Sequence, residues 1–311
     1  MTDGSDLVFI VGSGRSGTTM LRKMLQPDTR IGVSPELRYF SQAYEYAKKP
    51  AALRDRAIKA MKKSNDPLYK ELAVDFTQIA EKITAESDPK EVFLQLLRAT
   101  TTRPEAQLFI EKSGINLFYL GVISRLFPKA KIIHVYRDGR EFAASAQKVG
   151  RSARLEPILV YWTESIRYFN HIKSRISNAT LEVSYEEMAA NPEAVYERVY
   201  RFLQLKPQLS ASEVAAGLTP SSSFAEHNAK QGVYVSKNYE SYFSTSEQGI
   251  MNYYLRDTLK DRGYDIHATS TPGIASRLRY VGSLFSQRAN FFFSRRQVPG
   301  VMKKVRSGKL W

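Results

Sequence analysis

Five short apolar runs, each ending in a polar turn, punctuate the chain, and between them apolar positions recur at helical spacing. Leu7–Val11 is apolar and rich in β-branched residues and reads as a buried strand. Further strands are expected at Arg30–Val33, Gln107–Glu111, Ile132–Tyr136 and Thr180–Ser184. Helices are expected from Thr18, with Met20, Leu21, Met24 and Leu25 on one face, through much of residues 40–103, and over Glu141–Lys148, Arg151–Arg175 and Ser246–Arg262. Asn191–Leu205 opens on a capping residue and a proline, the usual start of a helix. Strands alternating with helices predict an α/β domain, a central parallel sheet flanked by helices in three layers.

The first strand runs into Gly12, Gly14 and Gly17, with Arg15 and Ser16 between them and a helix directly after. This arrangement aims free backbone N–H groups and the positive end of a helix dipole at an anion, and the glycines let the backbone approach a phosphate. The domain is thus P-loop-like. Gly12 and Gly17 keep the Walker A spacing, but Thr18 stands where that motif requires lysine. The cation is instead Arg15, and hydroxyls follow at Ser16, Thr18 and Thr19. That set suits a single 5′-phosphate with a charged leaving group better than a triphosphate. At the end of the third strand stands Lys112, where ligands bind in open α/β sheets. Arg137 follows the fourth strand, and Ser145 lies eight residues on.

Composition narrows the choice. The 311 residues contain no cysteine, which excludes disulfides, thiolate catalysis and cysteine-based metal sites. The polar start MTDGSD shows no signal peptide, and no apolar run approaches the ~20 residues that span a bilayer, so the expected location is cytoplasmic. The net charge is +15, and Ile266–Trp311 carries nine Lys/Arg with no Asp/Glu. A basic body fits an anionic ligand and a basic tail fits an anionic surface. The aromatics of that tail suggest an interfacial membrane segment, peripheral on the inner face of the membrane, or an oligomer contact. No nucleic-acid recognition motif accompanies the charge.

The RSGTT loop, with Arg22 on the following helix, resembles the 5′-phosphate loop of sulfotransferases that use 3′-phosphoadenosine 5′-phosphosulfate (PAPS), closest to bacterial and tyrosylprotein members. KIIHVYRDGREFAASAQKVG resembles their 3′-phosphate motif, in which an arginine after the strand and a serine eight residues on bind that phosphate, and Arg137 and Ser145 fit it: an arginine fork suits a phosphate dianion, and a hydroxyl one to two helical turns in can donate beside it. The resemblance covers roughly Leu7–Tyr264. It implies one sulfotransferase domain over residues 1–265 with a helical insertion at about 38–104, followed by a basic aromatic tail at 266–311. The implied cofactor is PAPS, with 3′,5′-ADP as product and no metal. Its implied cofactor-binding residues are Gly14, Arg15, Ser16, Gly17, Thr18, Thr19, Arg137, Ser145, Tyr185 and, in the loop Pro220–Ser236, Lys230. Glu36, after the second strand, matches the carboxylate that faces the acceptor hydroxyl, and with Arg15 and Lys112 completes the implied catalytic set. Partial burial is expected to raise the Glu36 pKa, and Ser34 to cap a helix beginning at once. The insertion, with Tyr39, Phe40, Tyr44 and Tyr46, is implied to line the acceptor site, although helix packing explains any one of these aromatics equally well. The acceptor is a small molecule, glycan, lipid-linked group or peptide. His134 is expected to be a core residue. The competing readings are a P-loop nucleotide kinase, opposed by Thr18, and a non-catalytic nucleotide-binding protein, opposed by Glu36 and Lys112.

Overall fold

The computed structural model describes residues 3–44, 50–64, 66–83, 88–217 and 238–296. They fall into two compact units, Met1–Val135 with Ile172–Tyr234, and Tyr136–His171 with Val235–Trp311. The first holds a five-stranded sheet in the order β2-β3-β1-β4-β5. Its strands are β1 (Leu7–Val11), β2 (Ile31–Val33), β3 (Leu108–Glu111), β4 (Lys131–Tyr136) and β5 (Thr180–Ser184), each within a residue of its expected start. β1 pairs in parallel with β3 and β4, and β2 with β3.

Alternation along β1 feeds two layers. Val8 and Ile10 pack with Met20, Leu21, Met24 and Leu25 of α1 (Thr18–Leu25) and with Val195, Tyr196 and Val199 of α11 (Pro192–Leu203). Phe9 points to the opposite face, 5.8 Å from the Phe93 ring and 6.1 Å from those of Phe40 and Phe127. That second layer is built from α2 (Tyr39–Gln42), α3 (Pro50–Lys62), α4 (Leu68–Glu71), α5 (Phe76–Lys82), α6 (Pro89–Ala99) and α7 (Leu120–Leu126). Burying each such ring contributes about 2 kcal/mol of hydrophobic stabilisation. Tyr39 and Phe40 are spent here, at 1% and 2% exposed, so the implied acceptor-facing role is corrected to packing for this pair. Tyr46 lies outside the described residues. α10 (Tyr185–Ala190), α11 (Pro192–Leu203) and α12 (Ala211–Gly217) complete the unit. Asn191 caps α11, its side chain accepting from Ala194 N–H, and Pro192 opens it as expected.

The second unit is helical: α8 (Gly139–Lys148), α9 (Leu155–Lys173), α13 (Asn238–Tyr242), α14 (Thr245–Asp261) and α15 (Ile274–Arg296). Its core gathers around the fully buried Trp162, with Phe142, Ile158, Met251 and Leu255. A capping box between Ser244 and Glu247 starts α14. α15, which occupies the first part of the basic tail, is tied down by Arg279 to Glu156 (2.8 Å), Arg288 to Glu164 (3.1 Å), and Tyr280 stacked on Tyr254 at 4.0 Å.

Candidate active site

In the first unit three neighbouring parallel strands end in chemistry: β2 leads to Glu36, β3 to Lys112 and β1 to the glycine loop. The loop is held tightly. Gly12 N–H donates to Gly114 O at 3.2 Å, and a Cβ on Gly12 would lie 2.1 Å from Val135 O. Gly17 caps α1 at φ 96°, where a Cβ would meet the Tyr185 ring at 2.6 Å. Both glycines are therefore required by close approach, and Gly17 by conformation too. Ser13 and Ser16 hydroxyls are 2.8 Å apart and buried. Arg15 is exposed with φ 79°, and the first-turn N–H groups of Thr18 and Thr19 face the loop end of α1, where a helix has donors to offer. Tyr185 is buried against Gly17 rather than extended into solvent.

Glu36 and Lys112 come together, Nζ donating to Oε1 at 2.7 Å. Arg38 donates to the other oxygen, Oε2, at 3.1 Å. Burial pushes the Glu36 carboxyl up, but Lys112 and then Arg38 outweigh it and hold the pKa below the ordinary glutamate value. The expected rise is thus corrected: the cations beside Glu36 win over its partial burial. Nor is Glu36 a helix-start residue. Ser34 gives its hydroxyl to Ile110 O, and the next helix begins only at Tyr39, after Arg38 at φ 51°.

Two carboxylates escaped the sequence reading. Asp66 accepts both Arg22 Nη atoms (2.6 and 3.2 Å), Glu36 N–H (3.1 Å) and Leu68 N–H (3.1 Å), and its Oδ2 lies 3.8 Å from Lys112 Nζ. Burial raises its pKa, but the Arg22 hydrogen bonds and charge, with Lys112, bring it net below the usual aspartate range. Glu111, the last residue of β3, is buried and accepts from Leu37 N–H, Ser113 N–H and Oγ, and Asn116 Nδ2. Burial pushes its carboxyl up to about 7. Through it the end of β3 is tied to the segment carrying Glu36.

In the second unit Arg137 is buried directly after β4, and its backbone carbonyl accepts from Trp162 Nε1 at 2.9 Å. Its Nη2 lies 3.2 Å from Glu141 Oε2, a third carboxylate the sequence reading passed over. Glu141 and the half-buried Ser145 are four residues apart and share one face of α8, while Arg137 stands just before its cap, Asp138. Asp138 caps that helix and binds Arg140, which makes the second arginine of RDGR a structural one. His134 is fully buried in β4, 3.5 Å from Glu182, as expected of a core residue. Lys230 lies outside the described residues.

A glycine loop on a helix start, with a lysine and a carboxylate at the adjoining strand ends, is an arrangement of an α/β protein that suits an anionic group. The particular class follows from its relatives. The chain belongs to the sulfotransferase family, whose model matches residues 7–208. It is 26% identical over 210 residues to protein-tyrosine sulfotransferase 1 of Danio rerio, covering 64% of this chain and 53% of the relative. It is 22% identical over 251 residues to an uncharacterized protein of Aquifex aeolicus, covering 76% of this chain and 31% of that one. The chain thus spans about a third and about half of the length of these two curated relatives. The fold is that of the sulfotransferase domain of the Synechococcus PCC 7002 olefin synthase, with a TM-score of 0.63 at 17% identity over 86% of this chain and 98% of that one. The sulfotransferase domain of the curacin biosynthetic pathway gives 0.58 at 16% identity over 84% and 98%.

Proposed function

We propose that the chain transfers the sulfonate of PAPS to a hydroxyl or amine of an acceptor. The observation that carries this reading is the Lys112–Glu36 pair, at the ends of strands beside a phosphate loop that lacks the kinase lysine. The residues suit the cofactor. The loop from Gly14 to Thr19 offers N–H groups, hydroxyls and Arg15 to the 5′-phosphate, and Arg137 with Ser145 offers a fork and a hydroxyl to the 3′-phosphate.

In the transfer, Glu36 takes the acceptor proton as the acceptor oxygen or nitrogen bonds to sulfur, and the bond from sulfur to the 5′-phosphate oxygen breaks. Lys112 and Arg15 stabilise the charge on the sulfonate oxygens and on the departing phosphate. Tyr185 backs the loop from beneath Gly17 and, by family resemblance, borders the adenosine; Lys230 belongs to the same proposed set.

Calorimetry tests the cofactor assignment. The wild type is expected to bind 3′,5′-ADP at least about tenfold more tightly than 5′-AMP, since a charge-assisted arginine contact is worth ~1.5–3 kcal/mol. Arg137→Ala should erase most of the difference. Equal affinities in the wild type overturn the assignment.

A further inference from the structure

In the second unit α15 carries a surface that sulfonate transfer does not use. One side of the helix is fixed: Ser276 and Ser283 are buried, Tyr280 stacks on Tyr254, and Arg279 and Arg288 reach Glu156 and Glu164. On the outer side Ile274, Leu278, Val281 and Phe285 are 79, 68, 62 and 77% exposed. Intervals of four, three and four place them in one line along the helix. Four large apolar side chains in a row toward solvent mark an interaction surface.

Charge accompanies the line. Nine Lys/Arg and no Asp/Glu lie between Ile266 and Trp311. Arg277 is exposed on the same helix, with its Nε bound to Pro272 O at 3.0 Å. Beside α15 opens a cavity of about 780 Å³, in which Arg151 and Arg154 stand with the apolar Phe142, Ile158 and Tyr161.

We infer that α15 lies on an anionic lipid bilayer. The line from Ile274 to Phe285 enters the acyl boundary, the basic residues stay at headgroup level, and the cavity beside the helix receives one anionic headgroup on Arg151 and Arg154. Pairing of two copies along the same line is the poorer match. It would bring two strongly basic segments together, while the acidic residues that α15 meets, Glu156 and Glu164, are already engaged. Anionic lipid supplies the missing negative charge. Among the described residues no helix is long and apolar enough to cross a membrane, so α15 lies in the interface.

The test is co-sedimentation of the full-length protein with vesicles of phosphatidylcholine, alone or mixed with phosphatidylglycerol, at low salt. The protein should pellet with the mixed vesicles and be released as salt is raised. Leu278→Glu with Phe285→Glu should lower binding at least about tenfold, with the unfolding temperature unchanged because both positions face solvent. Arg151→Ala and Arg154→Ala should each cost about fivefold on mixed vesicles and nothing on phosphatidylcholine. Three results would overturn the inference. The wild type could ignore mixed vesicles at low salt. The double glutamate variant could pellet like the wild type. Sedimentation velocity could reveal a dimer that the glutamates abolish while vesicles bind neither protein.

Discussion

Replacing Asp66 by Asn tests the network that places Lys112 and Glu36. The two oxygens of Asp66 receive four donors, from Arg22 twice and from the N–H groups of Glu36 and Leu68. An asparagine offers one acceptor oxygen and turns an NH2 toward the other two donors. Arg22 and Asp66 side chains are only 4% and 3% exposed, so no water replaces the lost charge. Removing one partner of a buried pair costs about 3–5 kcal/mol. At ~2 °C per kcal/mol for a chain of this size, the unfolding temperature should fall by about 6–10 °C. Arg22→Met should cost less, because Asp66 then keeps Lys112 at 3.8 Å and both N–H donors. Thermal unfolding followed by circular dichroism reads both variants. A drop below about 2 °C for Asp66→Asn, or a larger one for Arg22→Met, refutes the assignment of Asp66 as the anchor.

Two further outcomes are expected. Glu36→Gln keeps the shape and removes the base, so turnover should fall by ~10²–10⁴ with 3′,5′-ADP affinity nearly unchanged, and near-wild-type turnover with chemistry shown to be rate-limiting would remove Glu36 from the mechanism. Glu111 has a folded pKa of about 7 against 4.5 for the free group, so its contribution to stability is full below pH 4.5 and is lost as pH rises through 7. Measured against Glu111→Gln by urea unfolding, the wild type should lose about 3 kcal/mol between those limits, and a difference that stays flat with pH contradicts the burial argument.

What the sequence made legible was local. β1, the glycine loop and α1 follow from an apolar run, three glycines and a helical repeat within nineteen residues. Lys112 and Arg137 are legible because a parallel strand delivers the residue after its last apolar position to the ligand edge of the sheet. Asp66 is not legible: its partners Arg22, Glu36 and Lys112 are 44, 30 and 46 positions away, and its own surroundings read as an ordinary turn. Glu111 looked like the polar end of a strand, although a lone acid closing an apolar run beside a lysine is a signal of burial with donors. Glu141 carried a plainer signal, an acid in the first turn of a helix four residues after Arg137. Ser34 misled because the chain stays non-helical up to Arg38, so no first-turn N–H is there for its oxygen to accept, and its hydroxyl donates to Ile110 O instead. Helix α15 could be expected to be basic and aromatic, but its acidic partners Glu156 and Glu164 lie more than a hundred residues earlier.

Lys112 and its neighbour Arg22 are each already held by a carboxylate, and differences in burial decide which of the two pairs can change partners. Arg22 and Asp66 are both enclosed, so separating them exposes no water and leaves two unpaired charges; that pair is scaffold. Lys112 is equally enclosed, but its partner Glu36 is 24% exposed and has a route to solvent and to an acceptor. A sulfonate oxygen that takes the Lys112 charge removes the strongest influence lowering the Glu36 pKa, while burial, which raises it, remains. Arg38 still touches Glu36, but at 44% exposed its charge is heavily screened by water. Glu36 therefore becomes a stronger base when the donor is in place and is a weaker one before, which ties proton removal to the presence of the group to be transferred. The lysine does not drift when Glu36 turns to the acceptor, because Asp66 stays 3.8 Å away, fixed by Arg22. On this reasoning the acceptor is deprotonated by one carboxylate because a second, never in contact with it, keeps the lysine in position.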